Sequence, residues 1–163
     1  MNLRPAVSNP HRLKIYVPYA GHPPSVNQVF GQHGARIHAA LDDWKTNAQH
    51  AAEQARLQLH LQVPLPPSIV RITCPMRTAT RRDPHNYTGT LCKKIVDGFV
   101  AARFWDDDST GHVTLLDPRF VVMEDLDEPA IRARACALVE IVPLASLREA
   151  LAAWPVLQGL FDT

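Results

Sequence analysis

The spacing of the apolar residues changes several times along this chain, and that succession limits the possible folds more than any other feature of the sequence. In residues 12–19 apolar side chains occupy alternate positions, which is typical of a half-buried strand. In residues 34–64 they recur at every third or fourth position, which predicts a long amphipathic helix ended by a proline-rich segment. The same two patterns predict strands at residues 69–76, 112–116, 119–123 and 135–142, and helices at residues 88–103 and 143–154.

The resulting order, β-α-β-α-β-β-β-α, predicts an α/β or α+β fold in which helices flank a mixed β-sheet. A length of 163 residues suits one domain and is short for two, and no repeat or linker divides the sequence. We therefore expect residues 1–163 to form a single domain. Its core is expected to include Trp44, on the apolar side of the long helix, and the pair Phe104 and Trp105.

Composition excludes several classes of protein. Hydrophobic residues make up 46% and charged residues 20% of the chain, which is the balance of a globular protein. No apolar run approaches the roughly 20 residues that span a bilayer, and no signal-peptide pattern opens the sequence. The cysteines, Cys74, Cys92 and Cys136, are far apart among apolar neighbours, so we expect them in the core and not in disulfides or a zinc site. These features predict a cytoplasmic protein that does not associate with membranes.

The charges are divided unevenly between the two parts of the chain, although the net charge is only +1. Residues 1–105 carry 13 basic and 5 acidic side chains, whereas residues 106–163 carry 4 basic and 11 acidic ones. Such asymmetry indicates a nucleic-acid partner or an internal acidic site. The acidic residues Glu124, Asp125, Asp127 and Glu128 have no role in either explanation, and we interpret them as a solvated loop.

Bases and acids are concentrated between residues 81 and 109, in a loop, the second predicted helix and a further loop. Carboxylates from two loops beside one helix can converge on a hard divalent cation, because such ions require oxygen ligands. Arginine and lysine side chains around them suit phosphate. A cation held there lowers the pKa of a bound water and neutralises the charge that develops in phosphodiester hydrolysis. The residues concerned are Arg81, Arg82, Asp83, His85, Asn86, Lys93, Lys94, Asp97, Asp106, Asp107 and Asp108.

Each part of this stretch also has a structural explanation. Asp83 to Asn86 has the composition of a turn followed by a helix cap, and Asp106 to Gly111 that of a solvated turn. Asp97 is four residues after Lys93, the spacing of an ion pair along a helix. The combination still favours a functional site, because three consecutive carboxylates repel one another and a cation relieves that repulsion.

The order of these residues resembles the RusA family of Holliday junction resolvases, which phages and prophages often carry. The similarity extends to the first strand and the proline-rich loop after it, and covers about residues 12–142. The matching segments are Val17-Pro18-Tyr19, Pro23-Pro24-Ser25-Val26-Asn27, Arg81-Arg82-Asp83-x-His85-Asn86, Lys93-x-x-x-Asp97-Gly98 and Phe104-Trp105-x-Asp107-Asp108. The ordered set is far more specific than any one of its motifs.

The resemblance implies a homodimeric, magnesium-dependent endonuclease that nicks four-way DNA junctions symmetrically in bacterial or phage-infected cytosol, without a small-molecule cofactor. Asp83 and Asp108 correspond to metal-binding acids of the family, and Asp107 is the neighbouring acid. Lys93 corresponds to a basic residue that contacts the scissile phosphate. The catalytic set is thus Asp83, Lys93, Asp107 and Asp108, the metal set Asp83, His85 and Asp108, and the DNA-binding set Arg81, Arg82, Asn86, Lys93 and Lys94.

Two departures from the family pattern change the expectations for this chain. His85 stands where the family has a second carboxylate, and an imidazole favours Mn²⁺ or another transition ion over Mg²⁺. His85 can equally serve as a donor behind the ligands. The stretch between Asn86 and Lys93 is also longer than in enterobacterial resolvases. The alternatives are therefore a branched-DNA-binding protein with weakened catalysis, or a scaffold without a nucleic-acid role.

Overall fold

Five strands form one mixed sheet at the centre of the protein. The computed structural model describes residues 12–21, 23–25, 27, 34–76, 82–122 and 136–146. The strands are β1 (Leu13–Pro18), β2 (Ser68–Met76), β3 (Val113–Leu115), β4 (Arg119–Val122) and β5 (Cys136–Pro143). β5 lies between β1 and β2 and is antiparallel to both, whereas β3 and β4 run parallel to β2. The predicted α+β arrangement with a mixed sheet is confirmed.

β3 and β4 follow one another along the same edge of β2. Thr73 pairs with Arg119 of β4 and with Leu138 of β5, so these two strands occupy opposite edges of β2. β3 likewise faces a part of β2 whose other edge is taken by β5. Because β2 is central, nearly all of its residues are buried, and it carries core side chains towards one face and polar ones towards the other.

Two helical stretches cover one face of the sheet. α1 (Gly34–Gln58) is the long helix predicted from the apolar spacing. The second stretch was predicted at residues 88–103 and begins three residues earlier, as a short turn α2 (His85–Tyr87). It continues as a π-helical turn (Thr88–Cys92) and ends as α3 (Lys93–Ala101). The predicted terminal helix is described only to Ser146, where Leu144–Ser146 form a 3-10 turn after β5.

The core lies between the sheet and these two helices. Trp44, Phe104 and Trp105 are almost completely buried there, as predicted. Cys74 and Cys92 also lie in this core, and Cys136 is buried in a separate small cluster with Leu138, so all three are interior residues as predicted. Burial raises the pKa of the Cys74 thiol to about 12, so this side chain is an uncharged apolar residue at neutral pH.

α1 and α3 approach each other most closely at Gly98. A Cβ atom at this position would lie 2.5 Å from the Lys45 carbonyl oxygen, 2.8 Å from the Ala48 Cβ and 2.9 Å from the Gln49 amide nitrogen. Real Cβ atoms do not approach other atoms so closely, and only glycine therefore permits this crossing. The two helices are thereby held in one relative position, with Lys93 one and a half turns before the crossing on α3.

α3 ends in a sharp turn that sends the chain back towards the start of the same helix. Arg103 has a left-handed backbone conformation with φ of 68°. The Phe104 amide donates to the Phe99 carbonyl at 3.0 Å, and the Arg103 amide donates to the Val100 carbonyl at 2.9 Å. These are the two hydrogen bonds of a Schellman motif, and the rings of Phe99 and Phe104 supply its apolar contact at 5.1 Å. The turn anchors Trp105 in the core and thereby fixes where the acidic segment begins.

The other face of the sheet holds a buried ion-pair network around Glu140 of β5. Its side chain is 4% exposed and accepts hydrogen bonds from Arg12 and, at 3.1 Å, from Arg71 of β2. Burial alone raises the pKa of a carboxyl group, but the two guanidinium groups hold the pKa of Glu140 below its usual range. The network connects β2 to β5 and to the segment that enters β1.

Candidate functional site

The loop after β2 places Asp83 at the beginning of the second helical stretch. The Asp83 carboxylate accepts the backbone amide of His85 at 3.1 Å and the side-chain amide of Asn86 at 3.5 Å. An aspartate that accepts the amide of the residue two positions later forms an Asx turn, which leads the chain into the helical turn after Pro84. The turn composition of this segment is thus observed in the structure, and the hydrogen bond orients the Asp83 carboxylate towards the His85 backbone.

The proline-rich loop that follows β1 packs against this helical start. Pro23 and Pro24 are buried, and the Thr90 hydroxyl donates to the Pro24 carbonyl at 3.2 Å. The Tyr19 hydroxyl donates to the Pro75 carbonyl near the end of β2. The loop therefore packs against the π-helical turn, and this contact gives a structural reason for the proline pair in the sequence.

His85 lies beside a carboxylate that the sequence analysis did not identify. The His85 side chain is 79% exposed, and its Nδ1 atom is 3.4 Å from the Asp117 Oδ2 atom. The Thr88 hydroxyl donates to the other carboxylate oxygen, Asp117 Oδ1, at 2.9 Å. Asp117 comes from the three-residue connection between β3 and β4. Its one trace in the sequence is an Asp-Pro pair between two closely spaced predicted strands, which does not indicate a contact with His85.

Lys93 connects the helix to the acidic turn. Its ammonium group donates to Asp97 at 2.7 Å, the predicted i,i+4 ion pair, and also to Asp108. Burial alone lowers the pKa of a lysine, but the hydrogen bonds and charges of Asp108 and Asp97 raise the pKa of Lys93 above its usual value. Lys93 is therefore a permanent cation at neutral pH, and 47% of its side chain remains exposed to a ligand.

Asp107 stabilises the acidic turn itself. Its Oδ1 atom accepts the Ser109 backbone amide at 2.8 Å and lies 2.9 Å from Nδ1 of His112. Hydrogen bonds from Ser109, together with His112, hold the pKa of Asp107 below its usual range. The sequence analysis gave His112 no role. This residue contacts Asp107 because the turn places positions 107 and 112 opposite each other. Asp107 faces this turn, whereas the neighbouring Asp108 faces Lys93.

The predicted DNA-binding side chains differ in their surroundings. The Arg82 guanidinium lies over the Phe120 ring, 6.0 Å from its centroid, a cation–π contact that fixes it beside β4. Lys94 donates to Asp42 of α1 at 2.6 Å and so connects the two helices. The side-chain amide of Asn86 donates to the Asp83 carboxylate. Arg81 lies outside the described residues, as do the acidic residues between 124 and 128.

The donor chemistry of this region fits a divalent cation. Carboxylate oxygens suit Mg²⁺, and the imidazole of His85 suits a transition ion such as Mn²⁺. Within the described ranges, however, no three His, Cys, Asp or Glu side chains stand together as a ready set of ligands. Asp83 is engaged with the His85 amide and Asp108 with Lys93. Lys93 occupies Oδ2 of Asp108, so a cation at Asp108 has to bind the other carboxylate oxygen or displace the ammonium group.

Comparison with known proteins adds no relative to this description. No protein-family model matches the sequence, and no curated protein matches it closely enough to be counted as a relative. No helix in the described part of the chain is long and apolar enough to cross a membrane.

Proposed function

We propose that this chain is a divalent-metal-dependent endodeoxyribonuclease of the RusA type, which hydrolyses phosphodiester bonds at Holliday junctions or other branched DNA in recombination or repair. One observation carries the proposal: Lys93 contacts Asp108 across 15 residues of sequence. The residue assigned to the scissile phosphate and a residue assigned to the metal are therefore neighbours. A turn or cap with no chemical role does not require this contact.

In this proposal each residue of the site has a separate role. Asp83 and His85, at the start of the helical stretch, and Asp108 are the proposed ligands of Mg²⁺ or Mn²⁺. A divalent ion supplies a water of lowered pKa and stabilises the charge of the transition state. With an ion held by Asp108, Lys93 would remain paired with Asp97 and would present its charge to the scissile phosphate. Asp107 stabilises the turn that carries Asp108.

Arginine and lysine side chains near this site provide the affinity for DNA. Arg81, Arg82, Asn86 and Lys94 are the proposed contacts with the phosphate backbone. Binding through phosphates releases counterions, so the affinity should fall steeply as salt increases. A homodimer with twofold symmetry places two such sites on a symmetric four-way junction and accounts for paired nicks.

A junction-cleavage assay tests the proposal. The purified chain is incubated with a synthetic four-way junction and a linear duplex of equal length, in Mg²⁺ and separately in Mn²⁺. We expect symmetric nicks in the junction and little cutting of the duplex. The test variant is Asp108→Asn, and the matched control is Asp106→Asn, which removes the same charge from an exposed position of the same turn. Asp108→Asn should abolish cutting without weakening junction binding, whereas Asp106→Asn should cut like the natural chain.

The possible outcomes distinguish an error in the assignment of Asp108 from an error in the proposed function. Unchanged cutting by Asp108→Asn would overturn the assignment of that residue. Junction binding without cutting in either ion would instead favour the binding protein of the same fold. If the chain neither binds nor cuts the junction, the nucleic-acid proposal fails altogether.

A further inference from the structure

Asp117 occupies an irregular position at the edge of the sheet. β3 pairs as far as Val70 with Leu115, and β4 resumes the pairing at Thr73 with Arg119. Three residues of the edge, 116–118, therefore lie opposite two residues of β2. This extra residue makes a β-bulge, and bulges redirect side chains next to functional sites. Here the bulge directs Asp117 to the first turn of the second helical stretch.

Both oxygens of Asp117 meet side chains of that turn. Oδ1 accepts a hydrogen bond of 2.9 Å from Thr88, and Oδ2 lies 3.4 Å from Nδ1 of His85. The Thr88 contact fixes the carboxylate, because it holds one oxygen while the other faces the ring. The 3.4 Å contact does not have the geometry of a hydrogen bond, so the exposed His85 ring has to turn towards Oδ2 to form one.

We propose that Asp117 is a positioning residue that prepares His85 to bind a transition-metal ion; this inference rests on the proposed nuclease function. By accepting a hydrogen bond from Nδ1, Asp117 holds the neutral imidazole in the tautomer whose Nε2 atom carries no proton. An unprotonated nitrogen is required of a metal ligand. Histidine ligands commonly donate their second ring nitrogen to a carboxylate in this way, which fixes the ring and makes it a stronger donor.

The inference explains how a chain with a histidine at this position keeps a negative charge near the site. The carboxylate that the family resemblance leads one to expect at residue 85 is absent, and Asp117 supplies one behind the imidazole. An ion bound to His85 is then expected to be a borderline one such as Mn²⁺, because imidazole suits transition metals better than it suits Mg²⁺. Asp117 would thus act on ion preference without touching the ion.

The tautomer can be measured directly on the full chain. Long-range ¹⁵N–¹H spectra at about pH 8 distinguish protonated from unprotonated ring nitrogens, and the His85→Gln variant identifies the signals of His85. We expect a proton on Nδ1 in the natural chain and a mixture of tautomers in Asp117→Ala. The matched control is Asp43→Ala, which removes an exposed carboxylate of α1 and should leave the His85 signals unchanged. A proton on Nε2 in the natural chain overturns the inference.

Ion affinity provides the second measurement. Titration calorimetry with Mn²⁺ and with Mg²⁺ should show Mn²⁺ binding about 10- to 100-fold weaker in Asp117→Ala than in the natural chain, the effect expected when the partner of a ligand is lost. Mg²⁺ binding should change less, and Asp43→Ala should bind both ions normally. Thr88→Val, which frees Asp117 from its anchor, should give an intermediate loss for Mn²⁺.

These measurements separate the inference from the function on which it rests. If Asp117→Ala binds Mn²⁺ like the natural chain and both cut junctions, the inference is wrong and the nuclease proposal stands. If the natural chain shows the expected tautomer and Mn²⁺ dependence on Asp117 but cuts no junction, the inference stands and the nuclease proposal is wrong. If the natural chain binds Mg²⁺ and cuts junctions but binds no Mn²⁺, only the inference is wrong, and if it binds neither ion, both are wrong.

Discussion

The crossing of α1 and α3 gives a quantitative prediction for the substitution Gly98→Ala. The new Cβ atom would meet two backbone atoms, the Lys45 carbonyl oxygen at 2.5 Å and the Gln49 amide nitrogen at 2.9 Å. Backbone atoms cannot rotate away as the end of a side chain can. To restore an ordinary contact of 3.4 Å with Lys45, the helices have to separate by about 0.9 Å. This separation would loosen the packing of the buried Trp44 and Phe99.

The expected loss of stability follows from two opposing effects. Overpacking of a well-packed interior costs about 1–3 kcal/mol, and an obstruction made of backbone belongs at the upper end. Alanine is better than glycine in a helix interior by about 1 kcal/mol, which offsets part of the loss. We therefore expect Gly98→Ala to lower the free energy of unfolding by about 2 kcal/mol. For a chain of this length the melting temperature should fall by about 4–8 °C.

Urea and thermal denaturation followed by circular dichroism would measure this change. The matched control is Gly89→Ala, in the π-helical turn, where a Cβ atom would meet nothing within 4 Å. That variant should be as stable as the natural chain or slightly more stable, because only the helix propensity changes. If Gly98→Ala unfolds at the same urea concentration as Gly89→Ala, the close approach of the helices does not govern stability and the reasoning fails.

Two further substitutions test charged residues of the sheet and of the helix pair. Glu140→Ala should lower the free energy of unfolding by about 3 kcal/mol at neutral pH, since it removes the buried carboxylate that Arg12 and Arg71 contact. The pKa of Glu140 in the folded protein is held below its ordinary value of 4.5. Its contribution to stability is therefore present above pH 4.5 and is lost as the pH falls through the pKa of the folded state. The denaturation curves of the variant and the natural chain should accordingly converge on acidification. Lys94→Gln should reduce the slope of log affinity for DNA against log salt by about 1 if Lys94 binds phosphate, and an unchanged slope would restrict Lys94 to its pair with Asp42.

The strands were predictable because each one buries a single face or lies at the centre of the sheet. The alternation of apolar and polar residues predicted β1 and β2 within one or two residues of their observed bounds. The start of the second helical stretch was predicted too late, since Pro84 and Asn86 are as common in loops as at helix ends. The backbone hydrogen bonds from Asn86 to Asp83 and from Tyr87 to Pro84 distinguish these cases, and they depend on the folded position of the chain.

The contacts of the site depend on features that have no clear signature in sequence. Lys93 reaches Asp108 because Arg103 adopts a left-handed conformation at the end of α3, a position where glycine is the usual residue. Asp117 reaches His85 because β3 and β4 share one edge of β2 with a bulge between them. Pairing between strands distant in sequence cannot be deduced from apolar spacing, which is why the pattern identified both strands and missed the carboxylate between them.

The π-helical turn shows how additional residues can be accommodated between Asn86 and Lys93. A π turn closes hydrogen bonds between residues five apart, and it therefore holds about one more residue than an α turn. Thr88–Cys92 form such a turn directly before α3. Additional residues can be absorbed there without rotating α3, whose orientation is fixed independently by the crossing at Gly98. Lys93 then keeps its direction towards Asp97 and Asp108, so a change in spacing within the motif does not require a change in the chemistry proposed for it.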